Sequence, residues 1–165
     1  MPLTLGSLFD GIGGFPLAAR RHGITPLWAS ETDPACVRIT KRRFSKMRHL
    51  GDITEISGAE IEPADIITFG SPCQDLSVAG NRAGIKGERS GLFAEAIRII
   101  KEMRDATNGT FPRYCVWENV PGAFSSNGGG DFKTVIEEIV SVAEPGISIP
   151  RSASGWLSAG AVMGN

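Results

Sequence analysis

Four groups of residues combine types and spacing that can do chemistry. The first is Phe9-Asp10-Gly11-Ile12-Gly13-Gly14-Phe15. Glycines set this closely let a backbone approach a ligand and let a helix start tight against the strand before it. Glu31 stands 20 residues beyond Gly11, and a carboxylate there can accept both hydroxyls of a ribose. The spacing is not that of the dinucleotide fingerprint, G-x-G-x-x-G. Loop and acid together point to a nucleoside-containing cofactor, although a purely structural turn uses the same glycines. Asp52 can hold an adenine amino group or serve as a cap or turn residue.

The second group is Gly70-Ser71-Pro72-Cys73-Gln74. A partly ionised thiol is a good nucleophile that tolerates addition and later elimination. Most cysteines are small buried hydrophobes. That reading suits Cys36 and Cys115, but it suits Cys73 poorly between Ser71, Pro72, Gln74 and Asp75. The third group is Glu118-Asn119-Val120. If its strand neighbours the one before Cys73, thiol and carboxyl form a nucleophile–acid pair. Partial burial would raise the Glu118 pKa and let it give a proton at neutral pH; a plain strand-end cap is the alternative. The fourth is Arg82, Lys86 and Arg89 with Ser77 and Ser90, which suit phosphate contacts or a solvated loop equally. The denser cluster of Arg38, Lys41, Arg42, Arg43, Lys46 and Arg48 reads as a solvated face, because it lies away from the predicted strand tips.

Alternating strands and helices must position these groups. Apolar runs predict strands over Leu3–Phe9, Thr25–Glu31 and Ala64–Gly70, a weak one over Leu50–Thr54, and a fifth over Tyr114–Val120. Helices are predicted from Gly14 to His22, from Pro34 (with Asp33 as cap) to about Met47, along the apolar face Leu92 to Met103, and after Asp131 as cap. This alternation predicts an α/β fold with a mostly parallel sheet and helices on both faces. Ligands then bind beyond the carboxyl ends of the strands. Residues 71–90 are long for a connection, which suggests a functional segment. Residues 146–165 show no clear period and read as an irregular, truncated continuation of a core over residues 1–145.

Composition bounds the rest. The chain has 165 residues, 41% hydrophobic and 21% charged, with formal net charge −1, so a packed core is expected and a histone-like polycation is excluded. Glycine is abundant at 21 residues without a tripeptide repeat, so it serves turns and close approaches. Three widely spaced cysteines make neither a disulfide framework nor a zinc site. No metal is expected, and a reducing cytoplasm is. No apolar run is long enough for a membrane span.

In order and spacing, over roughly residues 3 to 140, these motifs resemble the cytosine-specific DNA methyltransferases that modify carbon 5. The resemblance implies a three-layer Rossmann-like fold, incomplete at its C-terminus, that uses S-adenosylmethionine. Its implied cofactor residues are Phe9, Gly11, Ile12, Gly13, Gly14, Glu31, Thr32, Asp52, Ile53, Pro72 and Leu92. Cys73 is implied as the nucleophile and Glu118 as the acid, with Pro72 reading the exocyclic amine, Gln74 beginning the loop that closes over the base, and Asn119 orienting its neighbours. Ser77, Arg82, Lys86 and Arg89 are implied to contact DNA. The substrate implied is double-stranded DNA with a flipped cytosine, in the cytoplasm of a bacterium or phage host, on the nucleoid. Ser7 stands where the family usually has an aspartate, and Thr32 where it often has an aromatic residue. No arginine-rich motif or target-recognition region is found, so activity is expected to need a complementary C-terminal segment or chain. A non-catalytic cofactor- or DNA-binding subunit and a nicotinamide-dependent oxidoreductase are the competing readings.

Overall fold

The computed structural model describes residues 1–70, 91–124, 126–150 and 156. Strands β1 (Thr4–Leu8), β2 (Thr25–Ser30), β3 (Arg48–His49), β4 (Ile66–Phe69) and β5 (Tyr114–Trp117) form one sheet in the order β3-β2-β1-β4-β5. Every pairing is parallel. Helices α1 (Gly14–Arg21), α2 (Pro34–Arg43), α3 (Leu92–Ala106) and α4 (Gly130–Ser141) complete the element order, with three short 3-10 turns among the described residues.

Alternation along β2 sorts the layers, because successive strand residues point to opposite faces. Trp28 joins Leu8, Ile67 and Phe69 under Ala96, Ile97, Ile100 and Met103 of α3. Its neighbour Ala29 packs with Leu17 of α1 and with Phe44 and Met47. Helices therefore cover both faces, as the alternating pattern requires. Gly6 lies across the register from Trp28, and a methyl group there would occupy the indole's space. That close approach lets the largest core side chain sit fully buried in a β-sheet interior. At the amino edge, Thr4 N and Oγ1 both donate to Asp65 Oδ2 at 2.9 Å, and Arg113 pairs with the same carboxylate at 3.6 Å, tying β1, β4 and β5 together.

Four expectations need correction. The third strand is Arg48–His49 and not Leu50–Thr54. Asp52 accepts hydrogen bonds from Thr54 N and Oγ1 and turns those residues into a 3-10 helix, a local side-chain bond winning over strand pairing. Helix α2 stops at Arg43, because Phe44 leaves helical geometry (φ −130, ψ 66) to bury its ring. Helix α4 starts one residue before Asp131, on Gly129 at φ 86, with no side-chain cap bond. Cys36 is a half-buried free thiol and not a core residue sealed from solvent; Cys115, also partly exposed, does pack against the main core as expected, and desolvation pushes its thiol up to about 11. In the stretch expected to be irregular, Trp156 Nε1 donates to Gly129 O at 3.0 Å and its ring meets Phe132 edge-on at 5.0 Å.

Candidate functional site

The sheet order reverses between β1 and β4: β2 and β3 lie to one side, β5 to the other. Such a switch point leaves a crevice at the carboxyl ends, because the connections on either side depart in opposite directions. The loop after β1 curls into it. Phe9 adopts φ 55, Gly11 φ 55 and Gly13 φ 85. The left-handed turn at Phe9, a non-glycine, costs on the order of 1 kcal/mol. It sets the Phe9 side chain into a cleft shared with Ser30, Glu31, Thr32, Asp52, Ile53 and Leu92. The Glu31 and Asp52 carboxylates and the Ser30 and Thr32 hydroxyls are its polar lining, and Phe9, Ile53 and Leu92 supply apolar walls. A sugar needs the first kind of group and a flat base the second.

Six of the sequence-predicted cofactor residues thus meet in one cleft; Ser30 was not foreseen, being a strand residue with no motif around it. Gly11, Ile12, Gly13 and Gly14 form the adjoining turn and the start of α1, with Ile12 exposed. Glu31 holds the cleft's frame. Its Oε2 accepts from Gly11 N at 2.8 Å, and its Oε1 accepts from Thr32 N at 2.7 Å and Asp33 N at 2.8 Å. A carboxylate offers about four lone-pair sites. With three taken by backbone, one is left on Oε2 for a ligand hydroxyl, and accepting both ribose hydroxyls requires the loop to yield a bond. Hydrogen bonds from the Thr54 backbone and then its hydroxyl hold the Asp52 carboxyl below the usual range. Asp52 both caps this turn and lines the cleft, and the two capping bonds fall on Oδ1.

Beneath the loop lies a carboxylate to which no role was given. Asp10 is 5% exposed. Ser7 Oγ donates to its Oδ1 at 2.7 Å, while Oδ2 is buried without a hydrogen-bond partner. Burial pushes Asp10 up to about 6; the Ser7 bond opposes this and Glu31 adds to it. Ser7 and Asp10 sit three residues apart, so the unusual serine on the strand and the acid after it act as one unit. The Ser-x-x-Asp spacing was visible, but the burial that gives it meaning was not.

Across the crevice, β5 delivers Glu118 beside the tip of β4. Glu118 N donates to Phe69 O at 3.0 Å. A Cβ placed on Gly70 would stand 2.7 Å from Glu118 Oε2. The carboxyl therefore rests against the last described residue before the segment that carries Cys73. Glu118 is exposed, so the expected partial burial is absent: β5 is the sheet edge, and no described element covers its tip. Asn119 Oδ1 accepts from Val120 N at 2.7 Å, which orients the carboxamide along the chain. Pro72, Cys73, Gln74, Ser77, Arg82, Lys86 and Arg89 lie outside the described residues.

The sequence profile described as C-5 cytosine-specific DNA methylase matches residues 3–142. The chain is 37% identical over 123 residues to the type II methyltransferase M2.BsuMI of Bacillus subtilis, covering 74% of this chain and 30% of that protein. It is 34% identical over 130 residues to a protein of Escherichia phage P1 named DNA N-6-adenine-methyltransferase, covering 75% of this chain and 17% of that one. The chain thus spans a third or less of the length of these relatives. The crystal structure of the Schizosaccharomyces pombe Dnmt2 methyltransferase superposes with a TM-score of 0.60 at 23% identity, covering 85% of this chain and 41% of that one. The last likeness speaks for the fold.

Proposed function

The chain belongs to the C-5 cytosine-specific DNA methylase family, and from that premise we propose that it carries the cofactor site and the reacting groups of an enzyme moving a methyl group from S-adenosylmethionine to carbon 5 of cytosine in DNA. The observation that carries this reading is the placement of Glu118 Oε2 against Gly70. It sets a carboxyl at the root of the segment bearing Cys73, across the switch point from a cleft with nucleoside-type walls.

The cleft suits the cofactor on its own chemistry. Glu31 keeps one acceptor site for a ribose hydroxyl, Asp52 can take the adenine amino group, and Phe9, Ile53 and Leu92 flank the base. Ile12, Gly13 and Gly14, in the adjoining turn, would hold the methionyl end, and Pro72 and Thr32 would complete the expected contacts. When bound, S-adenosylmethionine supplies an electrophilic methyl group on a sulfonium.

The chain's own groups do the rest. Carbon 5 of cytosine is a poor nucleophile. The Cys73 thiolate adds to carbon 6 and forms a C–S bond, turning the ring into an enamine. Glu118 gives a proton or a hydrogen bond to ring nitrogen 3 and stabilises the charge that develops there. Carbon 5 would take the methyl group as its bond to the sulfonium sulfur breaks, leaving a neutral thioether; loss of the carbon-5 proton to a base and departure of the thiolate then restore the aromatic ring. A stacked base is out of reach, so the cytosine is flipped from the duplex. The Pro72 carbonyl then reads the exocyclic amine, and Gln74 to Arg89 closes over the base while Ser77, Arg82, Lys86 and Arg89 meet phosphates. Closure also covers Glu118, which the open edge leaves solvated. The 1–145 core works with a complementary segment or chain that supplies target recognition, in the cytoplasm and on the nucleoid.

DNA carrying 5-fluorocytosine tests this, because fluorine blocks the final elimination and leaves Cys73 attached to the base. The chain, supplied with a complementary C-terminal segment and S-adenosylmethionine, is expected to give a covalent adduct on a denaturing gel, and little without that segment. Cys73→Ser should abolish the adduct at unchanged cofactor affinity. No adduct from the complemented wild-type chain, with cofactor bound, leaves a binding subunit in place of an enzyme. Tight nicotinamide binding without S-adenosylmethionine binding would overturn both.

A further inference from the structure

Charge is unevenly divided along this chain. Residues 20–48 hold eight cations, Arg20, Arg21, Arg38, Lys41, Arg42, Arg43, Lys46 and Arg48, against the two carboxylates Glu31 and Asp33, while the whole chain has a formal net charge of −1. All eight are exposed. The ion pairs among the described residues involve Arg98, Arg113 and Lys133, and none of these eight.

The fold gathers them. In a parallel strand–helix–strand unit the helix runs back toward the amino edge of the sheet. The C-terminal ends of α1 and α2 therefore share that edge, opposite the cleft. Arg20 fastens them together: its Nη1 donates to Arg43 O at 3.0 Å, and its guanidinium stacks 4.9 Å over the Phe44 ring. Beside them, Lys41, Phe44, Ser45, Met47 and His49 line a groove. His49 is held below its ordinary pKa by burial first and by Lys41 second.

Cations in a helix's last turn complement its dipole, which accounts for Arg20, Arg21, Lys41, Arg42 and Arg43. It does not account for Arg38, Lys46 and Arg48. Like charges left without counter-charges repel one another, and surfaces with no partner usually mix signs. A polyanion removes the repulsion. A membrane surface would also require apolar anchors, and the only large hydrophobic exposed on this stretch is Ile39 at 38%. Six of the eight cations are arginines, whose planar fork suits phosphate oxygens. Helix α2, 10 residues long, spans about 15 Å, and that length of duplex carries about nine phosphate charges.

We propose that the amino-edge surface of α1, α2 and the turn into β3 holds the phosphate backbone of duplex DNA, without reading sequence, about one α2 length from the reaction cleft. The choice of DNA as the polyanion rests on the proposed function; the surface itself does not. It would keep the protein on DNA while the cleft is disengaged, and its affinity would fall steeply with salt.

Fluorescence anisotropy with a 30-base-pair duplex of arbitrary sequence, read against the 165-residue chain across a salt series, is the test. The probe variant is Arg38→Gln/Lys41→Gln/Arg42→Gln/Lys46→Gln. Each lost phosphate contact costs about eightfold at 0.1 M salt, from a slope of about −0.9 per contact. The variant is therefore expected to bind at least about tenfold more weakly, with a shallower salt dependence, at unchanged circular dichroism and S-adenosylmethionine affinity. Lys46→Glu/Arg48→Glu, outside both helices, should weaken binding in the same direction. Unchanged affinity and slope in both variants overturns the proposal, as does binding to phosphatidylserine vesicles with none to the duplex. Duplex binding that follows these cations in a chain unable to bind S-adenosylmethionine would sink the proposed function and leave this surface standing.

Discussion

Asp10 is where pH should act on this fold. Its carboxyl is 5% exposed and is pushed by burial from an ordinary 3.8 to about 6. Between those values the folded chain keeps a proton that the unfolded chain has lost, so stability falls as pH rises through the window and levels off above it. At about 1.4 kcal/mol per pH unit, the full gap is worth about 3 kcal/mol, of which about 2 kcal/mol falls between pH 4.5 and 7.5. Asp10→Asn keeps the shape and cannot titrate. Urea unfolding of both proteins at pH 4.5, 5.5, 6.5 and 7.5 should show the variant gaining about 2 kcal/mol relative to wild type across the series. The gain belongs to the difference between the two curves, so any fixed cost of an unpartnered amide cancels. Ser7→Ala should steepen the wild-type trend, because the Ser7 hydroxyl donates to the ionised form and holds the pKa down. A difference that stays flat within about 0.5 kcal/mol would refute the claim that this carboxylate is desolvated under the glycine loop.

Two further outcomes follow from the site. Glu31→Ala removes the acceptor of the Gly11, Thr32 and Asp33 amides. It should lower stability by about 1–3 kcal/mol and S-adenosylmethionine affinity more than tenfold, read by thermal melting and calorimetry; unchanged cofactor affinity would remove Glu31 from the cofactor site. Gly70→Ala puts a methyl 2.7 Å from Glu118 Oε2. Only the end of a flexible side chain must move, so the fold should lose less than about 1 kcal/mol. The 5-fluorocytosine adduct should nevertheless form at least about tenfold more slowly at unaltered cofactor affinity, and an adduct rate equal to wild type would mean that the Glu118 carboxyl does not act from this position.

Much of the fold was legible because its signals are local. The strands before the glycine loop and before Glu31 are short apolar runs, and Asp33-Pro34 announces α2 through a side chain that accepts from Ala35 N and Cys36 N. What failed was decided by competition between local and distant bonds. Asp52 turns its neighbours into a 3-10 helix where a strand was expected, and Phe44 ends α2 early because its ring is worth more buried than its backbone in a helix. Glu118 could be placed at a strand end from sequence, but not its exposure, which depends on what lies beside an edge strand.

The order of motifs along the chain determined which chemical groups stand after which strand, since a glycine loop, an acid 20 residues on and a Glu-Asn-Val segment are properties of one dimension. Only the tertiary structure decided their relations. It put β1 between β2 and β4, so that Phe9, Glu31, Asp52 and Leu92 meet in one cleft. It buried Asp10 against Ser7, and it drew two separate basic helix ends onto a single edge through Arg20. Solvent exclusion and charge density depend on neighbours brought close in space, and a linear spacing carries neither.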